Sequence, residues 1–189
     1  MVQANPHLKT FDDFLVYTED IDGYYELTNG ELVPVPPESD DNLYRAMQLY
    51  EALKTVISMR QIRLQGIAIA TPGQPKNRYP DLTVLRPDHP DQMRLLGQAA
   101  ITLDMAPPLL VVEMISPGAD NHRRDYIDKR NQYEWRGIPE YWIVDPERAQ
   151  VTVLSLGAQG YAEQVFQGDA PLQSPTFPTL NLTAAAILG

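Results

Sequence analysis

The sequence predicts a mixed α/β fold, an α+β arrangement around a mixed sheet, in the order helix, three-strand meander, helix, strand, with a β-hairpin at each end. Three observations carry this reading. First, Leu109–Asp145 reads as strand, tight loop, helix, turn, strand. Leu109–Ile115 is an apolar, β-branched run of strand length. Asn121–Arg136 has helical spacing and is stopped by Gly137 and Pro139, and Tyr141–Val144 is a second apolar run closed by Asp145-Pro146. Strand–helix–strand with short joints implies a parallel pair joined by a right-handed crossover. Second, residues 41–60 place Leu43, Ala46, Met47, Tyr50, Leu53, Val56 and Ile57 at helical spacing, and strand-like runs follow at Ile62–Ala70 and Tyr79–Leu85. Third, Asn29-Gly30 sits between two alternating runs, the strongest short signal for a hairpin.

Taken in order, residues 1–20 form a short helix or an irregular arm anchored by Phe11, Phe14 and Leu15. Tyr24–Leu27 and Glu31–Val35 are the arms of the first hairpin. PVPPESDD then breaks the chain, and Ser39 or Asp40 caps the helix that follows. Ile62–Ala70 alternates and then runs apolar, which reads as one strand; TPGQPKNR is a turn-rich loop. Pro80 cannot donate to a ladder, so it belongs at a strand start or an edge. Residues 86–108 are loop-like, with a short helix or strand between RPDHPDQ and MAPP. Gln150–Leu156 and Gly160–Phe166 form the second hairpin, and the proline-rich tail from Gly168 ends in a short apolar helix or strand. There is no internal repeat, and one domain over 1–189 is expected from the 189-residue length.

Composition excludes several classes. No run approaches the ~20 apolar residues of a membrane span. The first residues, MVQANPHLKTFDDF, lack the apolar core of a secretory signal. Cysteine is absent, which excludes disulfides and thiolate metal sites. A cytoplasmic protein is expected. The net charge of -10 argues against a broad nonspecific nucleic-acid surface and leaves room for a local basic patch. His7, His89 and His122 have no metal-ligand spacing and are assigned no role.

Glu113 stands in the middle of an apolar strand. An ionised carboxylate there costs several kcal/mol unless it is paired or binds a metal. A strand-edge glutamate or one paired to a nearby arginine is the plainer account. Asp81 stands just inside a neighbouring strand, and two carboxylates converging from adjacent strands make an oxygen-rich site suited to Mg²⁺ or Mn²⁺. By itself Asp81 reads first as a strand-entry residue that caps a turn. Lys129 lies on a helix face with Tyr126, Tyr133 and Arg136. Asp125, four residues earlier, offers it an ordinary ion pair, and the same face packs back toward the Asp81–Glu113 site.

These residues carry a resemblance. Asp81 in YPDL, Glu113 in VVEMIS and the run DYIDKRNQYEWRGIPEYWIVDP resemble the PD-(D/E)xK nuclease superfamily. Within it they look like a bacterial restriction-endonuclease-like family, long a domain of unknown function, and YELTNGEL and PVPP fit it too. The resemblance covers roughly residues 10–185. It implies a restriction-endonuclease-like core in which Asp81, Glu113 and the main-chain carbonyl of Met114 bind the metal. The usual superfamily lysine would fall at Ile115, which cannot serve; the family resembled carries it on the following helix, where Lys129 stands. Relatives often place a histidine near the start of the first helix, where this chain has Asn42. The resemblance also brings Glu31 near the site, although a hairpin glutamate is ordinarily exposed.

The expected activity is Mg²⁺- or Mn²⁺-dependent hydrolysis of DNA phosphodiester bonds, with Asp81, Glu113 and Lys129 catalytic. The alternative is a noncatalytic nucleic-acid-binding or assembly module on a nuclease-like scaffold. Arg123, Arg124, Lys129, Arg130 and Arg136 either meet phosphates or form the solvated side of a helix balanced by Asp120, Asp125, Asp128 and Glu134. Trp135 lies opposite the Tyr126/Tyr133 face, and an exposed aromatic there suggests a homodimer contact.

Overall fold

The computed structural model describes residues 8–189; His7 and the rest of the first seven residues, the start of the predicted N-terminal arm, lie outside the described residues. Helix α1 (Phe11–Thr18) begins at Thr10, which exchanges hydrogen bonds with Asp13 in a capping box. It buries Phe11, Phe14 and Leu15, the predicted anchors. Strands β1 (Tyr25–Thr28) and β2 (Glu31–Pro34) pair antiparallel around Asn29 and Gly30. Both turn residues have positive φ, +52° and +86°, as a two-residue hairpin turn of this kind requires.

Helix α2 (Asp40–Leu53) is capped by Ser39, whose hydroxyl accepts from the Asn42 N–H at 3.2 Å. Its buried face is Asn42, Ala46, Leu49 and Leu53. The predicted stripe is therefore rotated: Leu43 and Met47 are 46% and 56% exposed, and Leu49 lies wholly inside. Ser39→Ala should cost about 1 kcal/mol, the usual worth of an N-cap, read as a lower midpoint in urea denaturation.

The predicted strand Ile62–Ala70 is two strands in two sheets. β3 (Ile62–Leu64) joins the main sheet and β4 (Ala68–Ala70) a small one with β5 (Asn77–Arg78) and β7 (Ala100–Ile101). Gly66 makes the break, at φ +125°, where a residue with a Cβ is strained. Residues 86–108 contain both a helix, α3 (His89–Leu96), and β7.

The main sheet is completed by β6 (Leu82–Val84), β8 (Leu110–Met114), β9 (Glu140–Asp145), β10 (Gln150–Gly157) and β11 (Gly160–Gln167). The strand order is β11-β10-β9-β8-β6-β3. β3, β6 and β8 form the antiparallel meander, and β8 and β9 are parallel. The crossover between them is helical from Ala119 to Arg136, made of α4 (Ala119–Arg123), a π-helical segment (Arg124–Lys129) and α5 (Arg130–Arg136). α6 (Ala184–Leu188) closes the chain.

Alternation along β8 assigns its side chains to two cores. Leu110, Val112 and Met114 pack with α2, α6, Trp142 and Val144. Val111 and Ile115 point the other way, into a core with Tyr133, Tyr141 and Ile143. Period-two alternation places Glu113 on that second face, under α5.

Candidate active site

Two neighbouring strands and the crossover helix bring the site together. Asp81 lies one residue before β6, and the Leu82–Val112 register sets it beside Glu113 on β8. Its Oδ2 accepts from the Met114 N–H at 2.6 Å. Pro80 precedes it at the strand entry, outside the ladder. Glu113 is 2% exposed and has both oxygens engaged: Oε2 by the Lys129 ammonium at 2.6 Å, Oε1 by the Tyr133 hydroxyl at 2.6 Å. Lys129 also meets Asp125 Oδ1 at 2.9 Å. Both sequence readings of Lys129 therefore hold at once: the i,i+4 ion pair is made, and the ammonium reaches the Glu113 carboxylate. Asp125 is buried and takes two further hydrogen bonds from Arg124.

A cleft of about 460 Å³ opens on this group, lined among others by Glu26, Glu38, Asp81, Glu113, Arg124 and Lys129. Burial, and then the Glu113 carboxylate, push the Asp81 carboxyl well above the usual range. Burial also raises Glu113, against the pull of Lys129. Burial lowers the Lys129 ammonium, but Glu113 and Asp125 outweigh it and the net shift is upward, so the lysine is a cation at neutral pH. Asp125 is penalised by burial, yet Lys129 and Arg124 bring it below the usual carboxylate range. Tyr133 is pushed well up by burial and by Glu113, and stays a neutral donor. Asp81, Glu113 and Asp125 are gathered with the two cations Lys129 and Arg124, so with all three carboxylates ionised this group is one positive charge short.

A bound cation would offset that shortfall. Two side-chain carboxylates and the Met114 carbonyl at the end of β8 are hard oxygen donors suited to Mg²⁺ or Mn²⁺. Among the described residues no three His, Asp or Glu side chains converge as a metal cluster. A cation held by one or two carboxylates and completed by water and phosphate is the ordinary Mg²⁺ pattern, and the residues present fit it.

The structure also places what the sequence left open. Asn42 reaches the site: its amide nitrogen donates to Glu38 Oε1 at 2.9 Å and to the Met114 carbonyl at 3.3 Å. Glu31 is exposed and away from the cleft. Glu26 on the other arm of the hairpin lines it and pairs with Arg78 at 2.9 Å. Of the five basic residues, Arg124 and Lys129 line the cleft; Arg130 pairs with Glu163, and Arg136 donates to the Thr102 and Met105 carbonyls. Tyr126 lies away from Glu113 and donates to Asp145. His89 is buried and bridges the Arg86 N–H and the Ala106 carbonyl, pinning the 86–108 loop. Sequence reasoning missed Tyr133 as a partner of Glu113. Its signal was present, since it stands one helical turn beyond Lys129 on the same face.

The fold has a solved counterpart. A crystal structure of a "putative nuclease belonging to DUF820" from Anabaena variabilis ATCC 29413 is similar, with a TM-score of 0.64 and 17% identity over 95% of this chain and 97% of that one. No curated protein sequence matches the chain. A family model, Uma2, matches residues 11–185, nearly the whole length over which the site residues are spread. The chain belongs to this family, described as "Putative restriction endonuclease".

Proposed function

We propose that the protein is a metal-dependent endodeoxyribonuclease that hydrolyses DNA phosphodiester bonds, with Asp81, Glu113 and Lys129 as its catalytic residues. The observation that carries the reading is the Lys129 ammonium, 2.6 Å from Glu113 and in the same cleft as Asp81. Asp81, Glu113 and the Met114 carbonyl would hold Mg²⁺ or Mn²⁺. Bound there, the cation would supply Lewis-acid polarisation of a phosphoryl oxygen and a lowered water pKa. Lys129 is held by two carboxylates, so its charge is fixed in place before substrate arrives. It orients the attacking water and offsets the charge that develops on the phosphoryl oxygens. Tyr133 fixes the other Glu113 oxygen, and Asn42 restrains the Met114 carbonyl. Arg124, at the cleft wall, meets a neighbouring phosphate.

The test is to incubate the purified protein with plasmid and oligonucleotides, in Mg²⁺, in Mn²⁺ and in EDTA, beside Asp81→Ala. Metal-dependent cleavage that Asp81→Ala lacks is the expected result. Binding without cleavage under every condition would instead make this a noncatalytic nucleic-acid-binding module.

The same reading takes the protein as a cytoplasmic homodimer. No described helix is long and apolar enough to cross a membrane. Trp135 is 66% exposed, a large aromatic surface of the kind that pairs with a second copy. Light scattering at micromolar concentration should give twice the 21.3 kDa chain mass, and Trp135→Ala should shift it toward the monomer. A wild-type monomer at that concentration would refute the dimer.

A further inference from the structure

A second cavity, about 190 Å³, lies between α1 and the small sheet, with Leu15, Tyr24, Gly66, Ala68, Tyr79 and Gln98 among its walls. It adjoins the catalytic cleft at three points. Tyr79 lines both. Gln65 lines the cleft and its neighbour Gly66 the cavity. Val35, in the cleft wall, donates its N–H to the Tyr24 carbonyl at 2.9 Å. Tyr24 and Tyr79 lie ring against ring, 5.0 Å between centroids and 39° apart, and Tyr24 is 43% exposed.

We propose that this cavity is a subsite for one nucleobase of a single-stranded nucleic acid, adjacent to the phosphate in the cleft; the inference rests on the nuclease reading above. The volume suits one planar ring system and excludes a paired duplex. The tyrosine pair supplies the π-face on which any base can stack, the usual way unpaired strands are held. The two compartments differ in where cations stand. The cleft sets Arg124 and Lys129 among its four carboxylates, whereas the cavity wall holds Glu19 and, among the described residues, no cation, so the cavity has nothing to receive a phosphate and is left to the base. Gln98 donates its amide nitrogen to the Leu15 carbonyl at 3.0 Å, which fixes the side chain and leaves its oxygen as an acceptor for a base amino group. Gly66 makes room for the platform: a Cβ there would sit 3.0 Å from the Tyr24 hydroxyl.

The experiment measures anisotropy of a short fluorescein-labelled single-stranded deoxyoligonucleotide, with Ca²⁺ in place of Mg²⁺, against a set carrying one abasic position each. For wild type, one abasic position should weaken binding about tenfold, the worth of one stacked base. Tyr24→Ala should weaken the intact strand by a similar factor and lose sensitivity to that position, while Tyr24→Phe keeps both. A uniform abasic profile overturns the subsite, and needs only the wild-type protein. Binding and cleavage confined to duplex DNA overturn the subsite but leave the nuclease reading standing. Neither binding nor cleavage of any nucleic acid by wild type overturns both.

Discussion

Replacing Lys129 by methionine is expected to slow phosphodiester cleavage by roughly 10²–10³, the loss typical of removing one preorganised electrostatic stabiliser. Metal binding should change little, because the ammonium is not a ligand. Lys129→Arg should not restore the rate. The slot between Glu113 and Asp125 is buried and shaped around a compact ammonium, and a planar guanidinium places its charge differently. The burial adds a cost: removing one partner of a buried ion pair commonly destabilises by about 3–5 kcal/mol. Rates must therefore be normalised to folded protein, measured by circular dichroism at the assay temperature. Wild-type turnover in folded Lys129→Met would remove the lysine from the mechanism. Asp125→Ala on the same substrate separates the ion pair from the chemistry: loss of stability with cleavage retained is the result expected of a purely structural pair.

Asp81→Asn should make the metal-free protein more stable at pH 7 and abolish its response to metal. The sign follows from the raised pKa. A carboxyl that titrates higher in the folded than in the unfolded chain favours folding while it is protonated, and that contribution is lost as pH rises through the folded pKa. The wild-type protein loses it progressively as pH rises from the ordinary aspartate range toward neutrality. Asparagine is neutral at every pH and retains an oxygen to accept from the Met114 N–H. In EDTA the variant should melt higher, by about 2–4 °C for each kcal/mol recovered in a chain of this size. Its gain should shrink as pH falls and vanish only below the ordinary aspartate pKa of 3.8, where the carboxyl is protonated in both states. Mg²⁺ or Mn²⁺ should raise the wild-type Tm by linkage and leave Asp81→Asn unmoved; Glu113→Gln should lose the metal response as well. A metal-induced shift that survives in the double variant would place the cation elsewhere.

Much of this arrangement was legible before any coordinates, for local reasons. Asn29-Gly30 specifies its turn through backbone conformation alone, and Gly137 with Pro139 ends the crossover helix in the same way. Glu113 stood out because a charge in an apolar strand requires a partner. The same logic did not single out Glu140, at the start of the parallel neighbour β9. It is equally buried, but neutral donors satisfy it: the Trp142 indole, the Ser174 hydroxyl and the Thr176 N–H. Which buried glutamate meets a cation depends on a helix and a tail distant in sequence. Likewise, nothing local shows that the chain leaves one sheet for another at Gly66. Leu43 and Met47 fit a buried stripe as well as Leu49 does until the sheet chooses a side. The Lys129 assignment came through the family resemblance and the aromatic face; its second anchor, Asp125, had offered only the plainer account.

The π-helical turn at Arg124–Lys129 has a consequence for how Lys129 reaches Glu113 from the crossover helix. Such a turn is an α-helix with one residue too many, so it acts as a phase shifter: every side chain after it is advanced by one position around the axis. Here the surplus is carried at the outer surface, where Ile127 is half-exposed. Removing that residue would let the helix relax to its common pitch and would change the phase of Asp125, which precedes it, against Lys129 and Tyr133, which follow it and keep their own spacing. Lys129 is thus placed by a counting irregularity as much as by its chemistry, and a length change of one residue in this helix re-registers Asp125 against the Glu113 partners Lys129 and Tyr133.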